Sequence, residues 1–158
     1  MNIKSVTNIR RVKGFTIIEL MIVVVIVGVI AAIAVGAYDE QTDRTYLAET
    51  QSALVQFANA MERSYTESVP SSYENLADGG GDTGKPANFF TQSPIDGNDK
   101  MYDLTIKEAS AGAYVLMATP IAGRKMAGTG RLEFDSVGQR CWYEGKDTGD
   151  DSDACTEW

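Results

Sequence analysis

Lys13-Gly14-Phe15-Thr16-Ile17-Ile18-Glu19-Leu20 opens a stretch that continues to Ala37 with no charged side chain after Glu19. Phe15 to Ala37 is 23 residues, about 34 Å as an α-helix, which crosses the hydrocarbon of a bilayer with slight tilt. Val and Ile dominate the run. They are average helix formers in water, but in lipid the backbone must satisfy its own hydrogen bonds, and a helix does so within one segment. Glu19 is the anomaly, a carboxylate just inside an apolar run. The segment predicts a membrane helix with an out-of-place charge and makes the rest of the chain its cargo.

Charge is distributed unevenly around this stretch. Residues 1–14 carry Lys4, Arg10, Arg11 and Lys13 and no acid, so with −8 on the whole chain the remainder carries −12. A basic tail kept in the cytoplasm and an acidic domain sent across fit that split. A domain so acidic, with no evident basic patch to track phosphates, is not expected to bind a specific nucleic acid. The chain has no His, which removes the commonest general base and metal ligand and leaves no ordinary catalytic triad. No catalytic residue, metal or cofactor is expected. The acidic clusters Asp96-Gly97-Asn98-Asp99 and Asp147-Thr148-Gly149-Asp150-Asp151-Ser152-Asp153 lack the spacing of an EF-hand and read as solvated loops, with calcium as the alternative.

Beyond the apolar run the helix is expected to continue over 38–69. Leu47, Leu54 and Met61 recur every seven residues, and Phe57, Ala58 and Tyr65 fill the same side. Thr45, Glu49, Ser52, Gln56, Asn59, Arg63 and Glu67 fall opposite, while Gln51 and Glu62 interrupt the edges of the apolar stripe. Pro70 and Ser71-Ser72 end the helix. Residues 70–100 read as loop, with Phe89 and Phe90 anchoring it to the sheet. The period then changes to two over 101–143, with Tyr102-Leu104-Ile106, Ala113–Thr119, Leu132-Phe134 and Arg140–Tyr143 as strands. Hairpin spacing makes the sheet antiparallel, and one face packs on the amphipathic half of the helix. The predicted fold class is α+β: a long N-terminal α-helix, half transmembrane and half amphipathic, on a small antiparallel β-sheet head. In an exported domain Cys141 and Cys155 are expected to pair, closing the tail over 141–158. A loop of about 15 residues so closed contributes roughly 3 kcal/mol in the chain-entropy model.

A basic leader ending in Gly14, then Phe15-Thr16-Ile17-Ile18-Glu19-Leu20, then the long apolar helix together resemble the type IV pilins and related pseudopilins. The head is similar to minor pilins of the PilE type through Ser93-Pro94, Tyr102–Ile106, Tyr114–Pro120 and Arg131–Arg140. The resemblance implies a structural subunit of a type IV pilus. It implies cleavage by a prepilin peptidase between Gly14 and Phe15, methylation of the new amine at Phe15, and pairing of Glu19 with the amine of a neighbouring subunit. The implied partners are other pilin subunits, the peptidase, an inner-membrane assembly platform and the lipid bilayer before assembly. The precursor would sit in the inner membrane with its N-terminus cytoplasmic and its head periplasmic. Gly36 stands where family members often have proline. A major pilin or a type II secretion pseudopilin is the alternative within the family. Outside it, Ala32-Ile33-Ala34 offers the site of an ordinary signal peptide cleaved after Ala34, releasing a secreted binding or enzyme domain.

Overall fold

The computed structural model describes residues 14–149 and 154–158. The basic leader up to residue 13 and the acids of 150–153 lie outside the described residues. The chain divides into two compact units, Met1–Glu40 and Gln41–Trp158. A single element, helix α1 (Ile17–Glu67, 51 residues), contributes to both and runs through Gly36 without interruption.

In the first unit every described side chain from Gly14 to Gly36 is exposed. The helix there is long and apolar enough to cross a membrane. It starts at Ile17 rather than Phe15 because Thr16 occupies the cap position, as detailed below.

In the second unit α1 ends at Glu67, two residues short of the expected boundary. Val69 precedes Pro70, and a residue in that position is driven out of the helical region by the proline ring. Ser68 completes the stop: its hydroxyl donates to the Tyr65 carbonyl at 3.0 Å and accepts the Ser72 N–H at 3.0 Å. The following loop carries a short 3₁₀ turn, Asp78–Gly80, and then strand β1, Gln92–Ser93. Four longer strands follow: β2 (Tyr102–Ala109), β3 (Tyr114–Pro120), β4 (Gly130–Asp135) and β5 (Arg140–Glu144). All neighbours are antiparallel, in the order β1-β2-β3-β4-β5. The register Leu104↔Ala118↔Leu132↔Trp142 turns one face of this meander to the helix.

The core lies between that face and the helix. Ala53, Leu54, Phe57, Ala58 and Met61 of α1 meet Tyr102, Leu104, Ile106, Tyr114, Leu116, Ala118, Leu132 and Phe134 in one buried cluster. The α+β architecture expected from the two periodicities is therefore present. Phe89 differs from expectation. It anchors the loop to the helix, stacking on Phe57 with ring centres 5.0 Å apart, while Phe90 stands edge-on to it and exposed. The sheet face is filled by its own tyrosines and leucines, and Phe57 offers the flat partner instead.

The outermost long strands, β2 and β5, each carry one further bridge on their outer side. Gly84 bridges Ile106 on the outer side of β2, where β1 also pairs. Thr156 bridges Trp142 on the outer side of β5. Exposed strand edges invite further pairing, and these bridges shield part of each.

Candidate assembly site

The N-terminal end of α1 holds the residues singled out in the sequence. Thr16 is the cap: its hydroxyl accepts the backbone N–H of Glu19 at 3.2 Å, and its carbonyl accepts that of Leu20 at 3.2 Å. A helix leaves its first N–H groups without internal partners, and a threonine hydroxyl satisfies one of them. Thr16-Ile17-Ile18-Glu19 has the Thr-x-x-Glu spacing of a capping box, a local signal overlaid by the apolar run that follows. Glu19 thus lies in the first turn, where the helix dipole favours negative charge. Gly14 precedes the helix with nothing within 4 Å of where a Cβ would stand, and Phe15 beside it is 83% exposed. The stretch is open backbone followed by an exposed apolar helix whose one acid is near its start.

The head holds its own half of α1 by buried polar contacts that periodicity does not reveal. Thr50, fully buried, donates to the Tyr46 carbonyl at 2.8 Å, so the 3.0 Å contact between Thr50 and the buried Ser93 hydroxyl has Ser93 as donor. This bolts α1 to β1. Further along, Glu62 accepts hydrogen bonds from Tyr73 at 2.9 and 3.0 Å and from Tyr114 at 3.1 Å. Tyr73 stacks on Tyr65 and meets Tyr114 edge-on. Desolvation, reinforced by the Glu62 carboxylate, pushes the Tyr73 hydroxyl up to about 12 and raises that of Tyr114 as well.

On the sheet face away from the helix, Glu133 receives Lys107 at 3.1 Å and Arg131 at 3.1 Å, with Arg131 stacked over the Tyr143 ring. Burying such charges is tolerable because each has a partner. A cleft of about 160 Å³ beside them is lined by Lys107, Glu133, Asp135 and Tyr143 among others. Of the acidic clusters, Asp147 spends both carboxylate oxygens on the N–H groups of Gly128 and Gly130, at 2.6 and 2.9 Å. Lys100 donates to the carbonyls of Pro94 and Ile95, closing the loop that carries Asp96 and Asp99. Among the described residues no three of His, Cys, Asp and Glu gather as a metal site. Cys141 and Cys155 are joined by a disulfide.

Two protein families match adjoining stretches of the chain. The family described as the prokaryotic N-terminal methylation motif matches residues 9–35. The family described as the type IV minor pilin ComP, DNA uptake sequence receptor, matches residues 36–132. A fimbrial protein of Pseudomonas aeruginosa is 34% identical over 109 residues, 68% of this chain and 67% of its own length. The type IV major pilin protein PilE of Neisseria gonorrhoeae is 57% identical over 37 residues, 23% of this chain and 22% of its own. A fimbrial protein of Neisseria meningitidis serogroup B shows the same identity over the same length. No solved structure matches significantly.

Proposed function

The chain belongs to the type IV pilins, and from that we propose that it is a minor subunit of the pilus, cleaved after Gly14, methylated at Phe15 and built into the filament through α1. The observation that carries this reading is the exposed apolar face of α1 from Ile17 to Val35, interrupted only by Glu19. Water does not tolerate so large an apolar surface, so it needs lipid or other helices around it. A bilayer serves the precursor and the packed helices of neighbouring subunits serve the filament. The inner membrane, with the head on the periplasmic side, is the site proposed for the precursor.

Glu19 gives the packing its register. A carboxylate in hydrocarbon costs about 3 kcal/mol at the centre of a span and less near an end, where it reaches water. Cleavage between Gly14 and Phe15 places a new amine four residues before Glu19. In a packed bundle the carboxylate of one subunit takes the amine of the next, because an unpaired buried charge is penalised more than a paired one. Thr16 fixes the first turn and therefore the position of Glu19. Gly14 leaves its backbone open to a protease, which here is a prepilin peptidase. An assembly platform in the inner membrane then receives the processed subunit.

Replacing Glu19 with Ala should leave insertion and cleavage intact and abolish incorporation into filaments, read by shearing filaments and quantifying the subunit. Normal filament yield with Glu19→Ala would defeat the reading. The ComP description supports the minor role and suggests a second reading, reception of DNA at the head. A charge of −12 over residues 15–158 favours subunit contacts instead. Duplex DNA retained by the purified head at low salt and released by added salt would favour the receptor.

A further inference from the structure

We infer that the C-terminal tail, 154–158, is a detachable cover over the edge of β5, and that opening the Cys141–Cys155 bond turns that edge into a docking strand for a second copy of this chain. This contact is separate from assembly through α1.

The cover is slight. Among the described residues Thr156 alone bridges to the outer side of the strand, its carbonyl accepting the Trp142 N–H at 2.7 Å and its N–H donating to the Trp142 carbonyl at 3.0 Å. Ala154, Cys155, Thr156 and Glu157 are exposed, while Trp158 is half-buried against Phe134 and Arg140. The disulfide sits next to Thr156 and spans only 14 residues, so it holds the bridge at high local concentration.

The strand beneath is self-complementary. In an antiparallel ladder the N–H and carbonyl of one residue point the same way, so Arg140, Trp142 and Glu144 all aim theirs at the edge that Thr156 covers. Two copies of β5 paired about a two-fold axis at Trp142 would set Trp142 against Trp142. Arg140 of each would then face Glu144 of the other. Opposite charges directly across a strand pair, flanking an aromatic pair, are favourable contacts, and a two-fold interface needs such self-complementarity.

Opening the bond needs a dithiol. Its thiolate attacks Sγ of the exposed Cys155 and displaces Cys141 as a thiolate. Its second thiol then attacks the mixed disulfide and frees Cys155. The protein gains two electrons and two protons as two thiols, and the dithiol leaves as a disulfide.

The test uses the full chain in detergent, with and without dithiothreitol, and measures protein mass per particle by light scattering after subtracting detergent. Reduction should raise the mass from one chain to two. Arg140→Glu should hold the reduced protein at one chain, and Arg140→Glu with Glu144→Arg should restore two. No rise on reduction, a rise unaffected by Arg140→Glu, or no restoration in the double variant would overturn the inference. Loss of near-ultraviolet circular dichroism on reduction would also overturn it, because an unfolded head has no β5 edge to offer.

Discussion

Glu62 ties α1 to two other parts of the head, through Tyr73 in the loop and Tyr114 on β3. In the sequence it reads as a flaw in an apolar stripe, because its partners lie 11 and 52 residues further on. No local pattern links positions so far apart. Replacing it with Gln keeps the shape and weakens two charge-assisted bonds, which should lower head stability by about 1 kcal/mol, measured by denaturant titration. Burial is the larger cause of the raised Tyr73 hydroxyl, so in Glu62→Gln its titration should fall below about 12 but stay above that of a free tyrosine. Ultraviolet titration reads this directly. The sign for stability follows. A hydroxyl raised in the folded state contributes fully below the unfolded value of about 10, and that contribution is lost as pH rises through the folded value. Wild-type stability should therefore fall from about pH 10 upward, and more steeply than in Glu62→Gln. Unchanged tyrosine titration in the variant would contradict the geometry. Thr16 was within reach of sequence reading, since its glutamate is three residues on and the signal is local.

At the scale of elements, the long ones were legible and the short ones were not. The heptad of Leu47, Leu54 and Met61 announces α1, and Leu54 and Met61 are indeed fully buried. The alternation in Tyr102-Leu104-Ile106 likewise announces β2, whose buried and partly exposed positions alternate as far as Lys107. β1 escaped because two residues cannot show a period. The packing of Phe89 on Phe57 escaped because apolar pattern says that a ring is buried and not against what. The pairing of β4 with β5 depends on Gly130, whose φ of +107° is open to glycine, and where a Cβ would stand 2.1 Å from the Tyr143 carbonyl oxygen. Gly130→Ala should cost about 3 kcal/mol or more, because either the strand or the side chain must move. A melting temperature within a degree or so of wild type would show that the hairpin is looser than its register implies.

Over the whole molecule, charge and hydropathy separate an apolar helix from an acidic head, and the division at Gln41 follows the same line. The head's fully buried helical residues run from Thr50 to Met61, with Tyr46, Leu47 and Tyr65 packed against them, all inside the second unit. A chain starting at Gln41 should therefore fold, remain soluble without detergent and unfold cooperatively, whereas the full chain should need detergent or lipid. A truncated head that aggregates or melts without cooperativity would show that residues before Gln41 are part of its core. In the assembly proposed above, register through Glu19 and entry into the filament would depend on a terminus that processing creates. The most direct test is mass spectrometry of the N-terminal peptide of this subunit recovered from sheared filaments. The account predicts a peptide beginning at Phe15 with one added methyl group. A peptide beginning at Met1 or at Val35, or absence of the subunit from filaments, would contradict it.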